Sequence, residues 1–153
     1  MTQRMNFYGA APKLLEPMLA IEGLIRAGSL EPSLIDLVKI RASQINGCAY
    51  CLHMHTSDAR KAGEREERIY LLDAWHESNL YTPRERAALT WTESLTRIAQ
   101  THAPDADYAE VKAQFDDKAL MELTLLITNI NAWNRIAIGF RAEHPHDKVK
   151  QAA

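Results

Sequence analysis

Apolar positions recur at three- and four-residue spacings along almost the whole chain, and polar residues fill the intervening faces. A first amphipathic helix is predicted over about Lys13 to Arg26, with Leu14, Leu15, Met18, Leu19 and Leu24 apolar and Gly28 ending it. A second starts at Pro32, a good first-turn residue, and carries Leu34, Leu37, Val38, Ile40 and Ile45. Asn46-Gly47 signals a turn. The next helix should begin there and run to about Lys61, with Gly63 as its C-cap. Glu66 to Trp75 is apolar on one side through Ile69, Leu71, Leu72 and Trp75. Thr82-Pro83-Arg84-Glu85 reads as a capping box opening a helix to about Thr101. Pro104 and Asp105 break the chain, a shorter helix covers Tyr108 to Phe115, and Asp116-Asp117 caps the most apolar stretch, Ala119 to Phe140. No strand-like alternation is sustained, so the predicted fold is all-α, with residues 1–153 forming a single domain.

Two further patterns bear on assembly and descent. The segment Leu120 to Phe140 is apolar around more than one helical face, which one small domain struggles to cover, so a homo-oligomer is expected. A weak internal echo relates Ser43-Gln44-Ile45-Asn46-Gly47 to Thr128-Asn129-Ile130-Asn131-Ala132, with a one-residue slip upstream. It predicts a helix, tight break, helix unit in both halves, with Trp133 in the place of Cys48 and Ile136 in that of Cys51.

Composition narrows the function classes. A net charge of -2 over 153 residues gives no electrostatic case for nucleic acid or anionic lipid. No apolar run approaches the roughly 18–20 residues that span a bilayer. The start, Met1-Thr2-Gln3-Arg4-Met5-Asn6, lacks the apolar stretch of a signal peptide, so a cytoplasmic protein is expected. In that reducing compartment two close thiols are catalytic or metal-binding more often than a permanent staple.

The chain holds two cysteines, and they lie in Cys48-Ala49-Tyr50-Cys51-Leu52-His53-Met54-His55. On a helix, positions i, i+3 and i+7 share a face, so Cys48, Cys51 and His55 form one stripe of two thiols and an imidazole. A helix N-terminus and a nearby imidazole both favour thiolate. A thiolate attacks a peroxide O–O bond and becomes sulfenic acid, and a neighbouring thiol condenses with it to a disulfide. Cys51 is assigned as the attacking thiol because His55 is one turn away, and Cys48 as the resolving thiol. The opposite order stays open. A zinc site on Cys48, Cys51 and His55 or His53 lacks the second paired ligand set of structural zinc. A c-type haem is excluded because Leu52 stands where attachment needs histidine. Buried packing of the two thiols is the bland alternative. His53 points to another face and should be exposed. Trp91 and Trp133 read as core or subunit contacts, Glu93 as an exposed helix residue, and His144-Pro145-His146 as a frayed end.

The stretch from Asp36 through Ser43-Gln44-Ile45-Asn46-Gly47-Cys48 and Cys51 to His55 resembles the AhpD-like alkylhydroperoxidases of the carboxymuconolactone decarboxylase superfamily. Their pattern is an acidic residue, eleven residues, Cys-x-x-Cys, three residues, His. Resemblance continues through Glu85 to Glu93 and Asn131-Ala132-Trp133-Asn134-Arg135. It implies an all-α fold, homotrimers or homohexamers, and thiol-dependent hydroperoxide reduction with no cofactor. The partners implied are a small hydroperoxide and a thiol or dithiol reductant. Asp36 and His55 would form a proton relay to Cys51 and Cys48. Asp36 stands where the family usually has glutamate, shortening the reach by about 1.5 Å. Tyr50 replaces a histidine found in some members. True decarboxylases of the superfamily lack the Cys-x-x-Cys pair. The alternatives from other classes are a thiol–disulfide oxidoreductase or redox-sensing adaptor, and a zinc-stabilised non-catalytic protein.

Overall fold

The computed structural model describes residues 2–144, and those residues contain helices and no strand. The helices are α1 (Phe7–Ala10), α2 (Pro12–Arg26), α3 (Pro32–Asn46), α4 (Ala49–Lys61), α5 (Glu66–Tyr70), a 3-10 stretch (Leu71–Glu77), α6 (Pro83–Thr96), α7 (Ile98–Thr101), α8 (Asp105–Gln114) and α9 (Asp117–Phe140). The all-α expectation holds. No described helix is long and apolar enough to cross a membrane. Pro145 and His146 lie outside the described residues.

The centre is α3, which packs against α4, α6 and α9. Its residues from Leu34 to Ser43 are all buried. Leu34, Ile35 and Val38 meet Trp91, Leu123 and Ile127 in one apolar cluster. Leu37 and Ile40 meet Leu72, Trp75 and Leu89 in a second. The two clusters divide the faces of α3 between them, so both halves of the core form on one helix. On α9, Met121, Leu125 and Ile138 stay exposed, as do Leu14 and Leu24 of α2.

Capping chemistry sets most boundaries. Thr82 accepts from the Glu85 N–H at 3.2 Å, and Glu85 accepts from the Thr82 N–H at 2.8 Å, the predicted capping box. Asp116 caps α9 through the Ala119 N–H at 2.8 Å. Gly63 follows the Ala62 cap of α4 at φ 94°, and its N–H reaches the Arg60 carbonyl. The turn between α3 and α4 is built on Gly47, at φ 69° and ψ 35°. Cys48 is then the N-cap of α4, and its Sγ accepts from the Cys51 N–H at 3.3 Å.

Several boundaries differ from the periodicity, which gives no sign of α1 and starts α8 at Tyr108 where the helix begins at Asp105, capped by Pro104. Glu66 to Trp75 splits into α5 and the 3-10 stretch. There Arg86 takes the Trp75, His76 and Ser78 carbonyls as acceptors, drawing them away from a helical ladder. The helix from Pro83 stops at Thr96 because Arg97 leaves helical geometry, and the Thr101 hydroxyl donates to the Ser94 carbonyl. The echo's second break is absent, since α9 runs unbroken through Asn131-Ala132. Alanine at 132 carries a Cβ that the left-handed turn made by Gly47 disfavours. The echoed residues nevertheless touch: Asn46 donates to Asn131 and Asn134 at 2.9 Å each, and Asn134 donates to Ser43 Oγ at 3.1 Å.

Two anchors hold α2 on α9. Ser29, just past α2, gives its N–H (2.8 Å) and hydroxyl (2.6 Å) to Glu122. The approach is so close that a Cβ on Gly28 would sit 2.8 Å from that carboxylate. At the other end, Arg4 donates its N–H to the Phe140 carbonyl at 2.9 Å, and Phe7 of α1 stacks on Phe140.

Gly47→Ala tests the turn alone, because a Cβ there would meet no atom within 4 Å. The expected cost is that of a left-handed residue, about 1–2 kcal/mol. It should appear as a lower urea midpoint with an unchanged slope.

Candidate active site

Helix α4 places Cys51 and His55 one turn apart on its inner face, and both line a cavity of about 210 Å³. Leu19 and Glu22 of α2, Lys39 of α3 and Trp133 of α9 complete much of its wall. The two thiols are joined as a Cys48–Cys51 disulfide with Cα atoms 5.4 Å apart, and they are only 1% and 2% exposed. Cys48 does not line that cavity. It lines a second hollow of about 250 Å³, next to Ala49, Ile138, Arg141 and Ala142, with Tyr50 and Ala137 shared between the two.

The imidazole of His55 is buried, and its Nδ1 has no hydrogen-bond partner. Burial lowers its pKa to about 4, with Lys39 pushing the same way and Asp58 opposing. At neutral pH it is an uncharged imidazole able to accept a proton. It is not the cation that would hold a thiolate.

A buried charge shares the cavity with Cys51, on a residue that the sequence pattern did not single out. Lys39 is 2% exposed, lines the cavity and ion-pairs with Glu22. Glu22 in turn accepts from Asn129 at 2.8 Å. Helical phase gave no signal for it: Leu34, Ile35, Leu37, Val38 and Ile40 leave one arc of α3 free, and Asp36, Lys39 and Ser43 fall on that arc, which reads as a solvent face.

Asp36 is buried and stands apart from the cavity lining. It ion-pairs with Arg26 at 3.8 Å, and Oδ1 has no hydrogen bond. Burial raises its pKa, against the opposing charges of Arg26 and Lys39. Among the described residues no hydrogen bond joins Asp36 to His55 or to either cysteine. The structure thus brings Cys51, Cys48 and His55 together and, among the described residues, leaves Asp36 without a hydrogen bond to them.

Other expectations sort as follows. His53 is exposed, stacked on His144 at 5.1 Å. Trp91 is core, donating to Thr124 at 3.0 Å, while Trp133 forms cavity wall. Glu93 is not an exposed helix residue: its carboxylate accepts from Trp75 (2.7 Å), Arg41 (2.9 Å) and Arg97 (2.9 Å). Burial of Arg41 draws it inward. No cluster of three metal-ligating side chains occurs among the described residues.

Residues 12–94, from α2 through most of α6, match the carboxymuconolactone decarboxylase family. The chain belongs to that family. Its place is on the AhpD-like side: an Agrobacterium tumefaciens protein of unknown function, ATU0492, described as a candidate antioxidant-defence protein AhpD, superposes with a TM-score of 0.92. That protein is 42% identical, over 95% of this chain and all of the other. The uncharacterized protein YdfG of Bacillus subtilis (strain 168) is 45% identical over 138 residues, 90% of this chain and 94% of that one. A peroxidase-related AhpD-core protein of Ralstonia eutropha JMP134 shares the fold, with a TM-score of 0.78 at 17% identity, covering 92% of this chain and 74% of that one. The matched segment of this AhpD-like chain contains Glu22, Asp36, Lys39, Cys48, Cys51 and His55.

His55 ties stability to pH. The unfolded chain takes the proton near pH 6.5 and the folded chain only near 4, so acidification through that window favours unfolding by on the order of 3 kcal/mol. Asp36, with its raised pKa, acts in the opposite sense. Urea midpoints at pH 7 and pH 5 should differ more in the parent than in His55→Gln. Lys39→Met should cost about 3–5 kcal/mol by stranding Glu22, and Lys39→Met with Glu22→Gln should recover much of it.

Proposed function

We propose that this protein reduces hydroperoxides through Cys51 and Cys48 and is regenerated by a thiol or dithiol. The observation that carries the reading is the enclosed Cys48–Cys51 disulfide, whose Cys51 end lines one cavity with His55 and Lys39. The reduced pair starts the cycle. His55, uncharged, takes the Cys51 proton, and the Lys39 ammonium favours the resulting thiolate. The thiolate attacks the outer oxygen of ROOH, the O–O bond breaks, and His55 returns the proton to the departing alkoxide as ROH. Cys51 is left as sulfenic acid. Cys48, whose sulfur accepts from the Cys51 N–H at the start of α4, attacks that sulfur, and water leaves as the disulfide closes.

A thiolate on Cys51 also changes His55. Its negative charge favours the imidazolium, drawing the pKa back toward the working range. The base is therefore weak while the disulfide is closed and stronger once it opens. Leu19, Met54 and Trp133 give the cavity apolar walls, suited to an alkyl or aryl hydroperoxide. Asp36 joins the relay through an intervening group, since it makes no direct bond to His55. The exposed Leu14, Leu24, Met121 and Leu125 support a homotrimer or homohexamer, and the cycle suits the reducing cytoplasm.

Peroxide consumption that requires a dithiol reductant tests the reading. Disulfide exchange without peroxide turnover would instead make the protein a thiol–disulfide oxidoreductase. Cys51→Ser should abolish turnover. Cys48→Ser should consume one equivalent of peroxide and stall at a sulfenic acid that mass spectrometry can locate. Sulfenic acid on Cys48 in Cys51→Ser, with none on Cys51 in Cys48→Ser, reverses the order. Asp36→Asn should slow turnover about 10²-fold, the low end for an acid–base group, and Asp36→Glu should preserve it.

A further inference from the structure

The chemistry and the shape of the Cys51 cavity come from different parts of the chain. Cys51, His55, Lys39 and Glu22 lie within residues 12–94, the stretch matched to the family. Phe7, Tyr8 and Trp133, which supply aromatic wall, lie outside it, on α1 and α9. We propose that Tyr8 is a specificity-determining residue: its ring roofs the cavity and favours a compact alkyl hydroperoxide over one that carries an aryl group.

Tyr8 is 46% exposed and yet lines the cavity, so part of its ring meets solvent and part meets the interior. It stands between two other aromatic walls. Its centroid is 4.6 Å from that of Phe7 and 6.2 Å from Trp133. Both separations are those of rings that pack on each other, so no slot is left between them for a third ring. The segment that carries Tyr8 is also held in place. Asn6 caps α1 by accepting from the Gly9 N–H at 3.1 Å. The Arg4 guanidinium donates to the Gly139 carbonyl at 3.0 Å, and the Gln3 N–H donates to the Glu143 carboxylate at 3.1 Å. Phe7 is buried and anchors the segment on Phe140, whereas Tyr8 can be trimmed without emptying the core. The cavity, about 210 Å³, is smaller than the roughly 300–1,000 Å³ of sites for drug-sized molecules. In so small a space a held ring discriminates by clash with the larger guest. A single methylene can be worth about 10–200-fold in a pocket, and phenyl for methyl is a larger change.

This role for Tyr8 rests on the hydroperoxide reading above, but one arm of its test needs no peroxide. Cumene and tert-butyl hydroperoxide differ by phenyl in place of methyl, and so do N-phenylmaleimide and N-methylmaleimide. The peroxides are compared by kcat/KM in the chain with both cysteines. The maleimides are compared in a Cys48→Ser background, where Cys51 is the single thiol and mass spectrometry follows its modification. Tyr8→Ala should raise the phenyl-over-methyl rate ratio about tenfold with both pairs. Tyr8→Phe keeps the ring and should stay within about twofold of the parent ratio. So should Tyr108→Ala, which removes an exposed ring on α8 that is not part of the cavity wall. An unchanged maleimide ratio in Tyr8→Ala, or a rise of the same size in Tyr8→Phe or Tyr108→Ala, would overturn the proposal. If the hydroperoxide reading alone is wrong, the maleimide ratio still shifts and neither peroxide is consumed.

Discussion

Enclosure of α3 on every side is the constraint from which the other features follow. A helix with no solvent face has to settle each of its charges inside the protein, where an unpaired ion costs several kcal/mol. Asp36, Lys39 and Arg41 are all on its buried stretch. Arg41 is met by Glu93 of α6 and Asp73 of the 3-10 stretch, Lys39 by Glu22 of α2, and Asp36 by Arg26 of α2. Each pairing fixes a neighbouring helix in rotation as well as position, which apolar contact alone does weakly. The same constraint leaves an ammonium group on the wall of the cavity that Cys51 lines, so a device that holds the fold together also charges that cavity.

The α3–α4 turn does comparable double service. Gly47 lets the chain reverse in a single residue, and the reversal brings a thiol to the start of a helix. Beneath it, Asn46, Asn131, Asn134 and Ser43 satisfy one another across α3 and α9. A buried network with its partners met holds one geometry, because any displacement leaves several polar groups unpaired at once. The cysteines are thereby positioned from below by amides as well as by their own packing against Ala137.

Much of this was legible in the chain. The capping box at Thr82, the proline starts of α3 and α6 and the left-handed Gly47 are local signals, readable because each depends on a few adjacent residues. The stripe of Cys51 and His55 followed from helical phase. What was not legible depends on partners far along the chain. The break in α6 comes from Thr101 reaching back to Ser94, and the 3-10 stretch from Arg86 claiming its carbonyls. Glu93 read as a surface residue because its partners, Trp75 and Arg41, are distant in sequence. Helical phase put both thiols on one stripe, yet Cys48 and Cys51 open to separate hollows, since Cys48 is the cap and not part of the helix.

The tethering of α2 at both ends bears on how the cavity chooses what enters. Ser29 and Gly28 lock one end to Glu122, and the segment around Arg4 and Phe7 locks the other to Phe140, so both ends are fixed to the same helix, α9. The wall that carries Leu19 and Glu22 is therefore held to α9 from both sides. An aperture with a fixed rim behaves as a sieve: it admits by girth, it spends little ordering entropy on a guest, and it turns away a bulky molecule however well that molecule would bind once inside.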